Sequence, residues 1–234
     1  MKVLGRNLVD PFSEFWSDIE EDLFISYDEV KNGSEKVFGD QYFDLGSSPN
    51  PRWLALPDDD LAYHVAHEVT HILFKSKGFP SVGRGIRYPE NSEEARVGSD
   101  LEELVIHQPL DWVIKKYRFS RDFILDTTYN GAKSGLSSSY APEYGTPWFF
   151  TWAMRYAELS TILSPSDWQI LAYIYTSKSS DVVSLGEELR DIITKMDPGV
   201  PDLALEAMVL CRNLMGLGVE DRILIIDNRN GEMF

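Results

Sequence analysis

The chain has 234 residues and a mass of 26.7 kDa, room for one or two domains, with a single domain over 1–234 the expectation. Hydrophobic residues make up 43% and aromatics 12%, enough apolar mass for a sizeable core, so global disorder is excluded. A formal charge of −16 and a pI near 4.6 repel a polyanion, so no nucleic-acid partner is expected.

The N-terminal MKVLGRNLVDPF carries basic residues but no apolar run behind them, so it does not read as a secretory signal. A helix is predicted over 10–19, with Asp10 and Pro11 at its start and Phe12, Phe15, Trp16 and Ile19 on one face. Residues 20–57 read as β-rich. Short strands are expected at 23–27, 36–43 and 53–56, punctuated by Asn32-Gly33 and by GSSPNP.

The clearest helix spans 58–77. Asp58, Asp59 and Asp60 offer an N-cap and negative charge at its positive end, and Gly78 and Pro80 close it. A Gly/Pro loop follows at 81–90. Asn91 and Glu94 suggest a capping box for a second helix that runs to about His107 before Pro109 interrupts it; a shorter helix then reaches Tyr117. Residues 127–145, rich in Gly, Ser and Tyr, read as a long loop. Thr146-Pro147 opens another helix, and further helices are expected near 166–177, 185–196 and 202–215, with a late strand at 222–227. No apolar stretch approaches the roughly 20 residues needed to cross a bilayer. With one cysteine, Cys211, no internal disulfide forms. The expectation is a cytoplasmic protein of α+β class, with a mixed N-terminal half and a mostly helical C-terminal half over 146–234.

The chain holds four histidines, three of them within YHVAHEVTHIL: His64, His67 and His71. His67-Glu68-Val69-Thr70-His71 is an HExxH sequence. On a helix, positions i and i+4 stand one turn apart on the same side, so both imidazoles can reach one Zn²⁺. Glu68 is rotated by ~100° from His67, beside the metal instead of on it, where it can take a proton from a bound water. The chain's own His and Glu frequencies give roughly 0.005 accidental matches. From Leu61 to Phe74 there is no Lys, Arg or Gln to form a solvated face, so the helix is expected to be buried and its His/Glu stripe paired, liganded or facing a cleft. His64 lies about 10 Å in rise from His71, so one metal does not easily take all three, and it reads as a residue behind the ligands or in the cleft wall.

A catalytic zinc needs a third protein ligand and an open position. The second helix offers Arg96, Asp100, Glu103 and His107 as one stripe between apolar flanks. This stripe fits a polar cleft or a solvated edge. Glu102 points about 100° away from Glu103 and ranks behind both.

HEVTH resembles the zinc helix of the zincin metallopeptidases, and LEELVIH looks like the glutamate-bearing helix of their thermolysin-like branch. The segment LVIHQPLDWVIKKYRF also resembles small uncharacterised bacterial and archaeal proteins with an HP-type motif after an HExxH helix. The resemblance covers roughly 50–120 and implies a zincin-like core over about 20–120: a short β-sheet, the HExxH helix and a second ligand-bearing helix. It implies one zinc per chain, Glu103 as third ligand, His107 in the supporting position, and a peptide or protein substrate. His107 stands where that branch carries a carboxylate; imidazole is itself a good zinc ligand, so the two roles can be exchanged. The strand RWLALP at 52–57 would line the cleft or lie inside the sheet. Tyr129, Tyr140, Tyr144, Arg87 and Tyr88 are candidates for stabilising the oxyanion.

Two functions follow from different classes: a zinc-dependent hydrolase of peptide bonds with Glu68 as general base, or a non-catalytic binding or regulatory protein on a zincin-like scaffold. An intact Glu68 favours the first. Cys211, in the apolar stretch EAMVLCRNLMG, reads as a buried inert thiol, and Trp148, Phe149, Phe150 and Trp152 as core.

Overall fold

The structure, a computed structural model, describes residues 2–3, 6–29, 56–84, 92–218 and 223–234. In chain order it comprises β1 (Lys2–Val3), β2 (Arg6–Asn7), α1 (Phe12–Glu29), α2 (Asp58–Ser76), β3 (Ser81–Arg84), α3 (Glu93–Lys116), α4 (Asp122–Ser138), α5 (Pro147–Ile162), α6 (Pro165–Lys178), α7 (Ser180–Met196), α8 (Pro201–Leu214) and β4 (Ile223–Ile226). The described residues are mostly helical with two small antiparallel strand pairs, an α+β composition with a helical bulk. None of their helices is long and apolar enough to cross a membrane.

The chain divides into two compact units: Met1–Lys77 with Leu110–Ile124, and Gly78–Pro109 with Leu125–Phe234. Helix α3 contributes residues to each. In the first unit α1 packs on α2. The expected strand at 23–27 is instead the last part of α1. Phe12, Phe15, Ile19 and Leu23, all buried, recur at three- and four-residue spacing, so one apolar stripe carries the helix into the β-favouring Phe-Ile-Ser-Tyr run. Phe15 meets the rings of Tyr117 and Phe119 at 5.3 and 5.7 Å. The expected strand at 36–43, most of RWLALP and the loop residues 85–90 lie outside the described residues.

From Leu61 to Phe74 every residue of α2 is buried or half-buried. Its N-cap is Pro57, with no side-chain cap; Asp58, Asp59 and Asp60 put charge in the first turn, and Asp58 also pairs with Arg6. Gly78, at φ +82°, ends it in the left-handed region.

Helix α3 starts where Ser92 Oγ accepts from Ala95 N at 3.1 Å. It passes through Pro109 without stopping, contrary to the sequence expectation. Ile106, Leu110 and Ile114 are all buried and continue one stripe at i, i+4, i+8, so burial outweighs a cost of about 3 kcal/mol for an interior proline. The expected loop over 127–145 is likewise helix as far as Ser138. Ser137 and Ser138 hydroxyls satisfy carbonyls four residues back, at Lys133 and Ser134.

In the second unit α5 packs on α7, which also meets α6 and α8. Thr146 caps α5, accepting from Phe149 N, with Pro147 in the first turn, as the sequence predicted. The late strand is β4, and it pairs antiparallel with β3 from Ser81↔Ile226 to Arg84↔Ile223. The aromatic run of α5 divides: Phe149 and Phe150 are core, whereas Trp148 is exposed. Cys211 is fully buried, and burial pushes its thiol up to about 12, an inert group.

Helices α5 and α7 approach closely at Gly186. A Cβ there would meet Tyr156 Cδ1 at 2.5 Å and Ala153 O at 3.0 Å. Gly186→Ala is therefore expected to destabilise the fold by about 1–3 kcal/mol of overpacking, less a helix-propensity gain of about 1 kcal/mol. Gly131→Ala, where a Cβ meets nothing within 4 Å, should stabilise or be neutral. Urea midpoints for the pair check both signs.

Candidate metal centre

Helix α2 fixes the first two candidate ligands. His67 Nε2 and His71 Nε2 lie 3.1 Å apart, with ring centroids 4.8 Å apart at 72°. Two nitrogens bound to one tetrahedral zinc at 2.0–2.1 Å would stand about 3.3 Å from each other. The i, i+4 spacing and two half-buried rings thus already present a donor pair of the right span.

Helix α3 carries the candidates for a third ligand, Glu103 and His107, both half-buried and both in the second unit. Imidazole donors suit zinc.

Burial raises the Glu103 carboxyl above the ordinary range while His107 pulls it down and Glu158 pushes it up. Glu102 is turned to the strand: its Oε2 accepts from Val82 N at 2.7 Å and anchors β3. Glu68 is half-buried. The His64 ring meets Tyr63 edge-on at 5.6 Å, and burial lowers its pKa against an opposing pull from Asp60.

The polar stripe of α3 faces α5. Asp100 accepts from Thr151 Oγ1 at 2.6 Å, and His107 Nδ1 lies 3.2 Å from Glu158 Oε1. Both pairs are 51 residues apart in sequence. Two helices that keep one offset over two turns run parallel, side by side. The second oxygen of Glu158 is taken by Arg155 Nη1. Burial alone would raise the Glu158 carboxyl, but the His107 hydrogen bond and the Arg155 charge hold it down at about 2. Arg96 lies over the Trp148 ring, 4.7 Å from its centroid.

Sequence reasoning missed Glu158 and Arg155. The available signal was local: they are the only charged residues in the sixteen of α5. Of the oxyanion candidates, Tyr129 bonds Lys133 within α4, and Tyr140 and Tyr144 are exposed. Arg87 and Tyr88 lie outside the described residues.

The chain matches no protein-family model, no curated protein and no solved structure.

Proposed function

We propose that the protein is a zinc-dependent hydrolase of peptide bonds, with His67, His71 and His107 as ligands and Glu68 as general base. The observation that carries this reading is the His67–His71 pair, whose Nε2 atoms stand 3.1 Å apart and which flanks a glutamate in an HExxH sequence. The resemblance of HEVTH to the zincin helix supports the same chemistry. Relative to the thermolysin-like pattern, the third ligand is exchanged: the imidazole of His107 takes the role that the pattern gives to Glu103.

A zinc held here supplies a Lewis acid that acidifies a water and polarises the scissile carbonyl. The protein's own groups do the rest. The three neutral imidazoles would hold the ion. Glu68, about 100° around the helix from His67, accepts the proton of the attacking water and returns it to the departing amine.

One zinc per chain is expected by elemental analysis of protein purified without a metal-binding tag. Hydrolysis of casein or a peptide library should accompany it and vanish on chelation. No zinc after reconstitution would reject the site. Stoichiometric zinc with no hydrolysis across the library would favour the non-catalytic scaffold instead.

A further inference from the structure

A carboxylate in a helix interior is costly unless both oxygens are satisfied. Glu158 is 9% exposed on a helix whose only other charged residue is Arg155. One of its oxygens takes Arg155 and the other takes His107 Nδ1. An ion-paired carboxylate can only accept a hydrogen bond, so His107 must donate from Nδ1. The lone pair of the neutral imidazole then lies on Nε2, the far side of the ring from Glu158. The Asp100–Thr151 bond two turns away holds α3 and α5 in the register that brings this pair together.

We propose that Glu158, braced by Arg155, is a positioning residue for the metal centre: it holds His107 as the Nδ1–H tautomer and presents Nε2 to zinc. The carboxylate thus comes from a helix that sequence separation alone does not connect to HExxH. It sets the orientation and basicity of the third ligand, the role that outer carboxylates play on metal-bound histidines. This inference rests on His67, His71 and His107 being the ligands.

The test is zinc affinity of the full-length chain, measured with zinc alone against a chromophoric chelator, in a double-mutant cycle of Glu158→Gln and His107→Ala. Glu158→Gln is expected to weaken zinc about 10–100-fold in the otherwise wild-type chain and to have no further effect where His107 is already alanine. An equal loss in both backgrounds would mean a general structural role and overturn the proposal, as would an unchanged affinity in the wild-type background. A wild type that binds no zinc would sink the ligand assignment and this inference together. A second measurement needs no variant: nitrogen-15 NMR of zinc-free wild type at neutral pH should find the His107 proton on Nδ1. A proton on Nε2 would overturn the proposal however the variants fold.

Discussion

His107→Ala is expected to strip most of the zinc at neutral pH, weakening affinity by more than about 100-fold, beyond the 10–100-fold typical of an outer partner. The remaining pair, His67 and His71, would still bind zinc weakly. Glu103→Gln should keep zinc within about tenfold. Both residues stand on one face of α3, but His107 is the one held by a carboxylate, Glu158, on its Nδ1. Burial is the largest influence on Glu103 and works against the ionised form that a ligand needs. Glu102→Ala is the control: it should leave zinc nearly unchanged while loosening β3, because its carboxylate bonds Val82 N. Chelator competition for the three variants ranks them. If Glu103→Gln proved the worst, the donor set would be His67, His71 and Glu103.

The HExxH helix was legible because its signal is local. Two histidines at i, i+4 and the absence of Lys, Arg and Gln from Leu61 to Phe74 predict a buried helix with a polar stripe, and every residue of that span is buried or half-buried. The starts of α5 and β4 were legible for the same reason: a Thr-Pro cap and an aliphatic run are written in a few consecutive residues.

The rest was not, because distant packing decided it. The Phe-Ile-Ser-Tyr run after Leu23 favours strand locally, and the stripe that overrides it is recognisable only when Phe12, Phe15, Ile19 and Leu23 are known to share one core. Pro109 reads as a stop until Ile106, Leu110 and Ile114 are seen to be buried together. In α4, Gly131 and Gly135 mimic a loop, yet each costs a helix only about 1 kcal/mol, and Leu136 is its one buried side chain. Glu158 was hidden for a sharper reason. Its partner His107 is 51 residues away, and nothing in the periodicity of either helix fixes the register of one against the other. The partner strand of β4 was equally unreadable, since Ser81–Arg84 is too short and Gly-containing to stand out.

Glu68→Gln is expected to retain zinc within a few-fold and to lower turnover of any peptide substrate about 10²–10⁴-fold, the usual worth of a positioned acid–base group. Three features point the same way. Glu68 is turned about 100° around α2 from His67, so its removal costs no ligand. It is half-buried on a helix whose neighbours Val65, Val69 and Thr70 are buried, so glutamine, nearly identical in shape, should be accommodated without repacking. The amide keeps a carbonyl that can orient water, but it takes up no proton. The loss should therefore fall on kcat far more than on KM. Zinc content by elemental analysis and steady-state kinetics on the same preparation separate the outcomes. Loss of metal would make Glu68 a ligand. Undiminished kcat would remove it from proton transfer, and the base would have to be sought elsewhere around the three histidines.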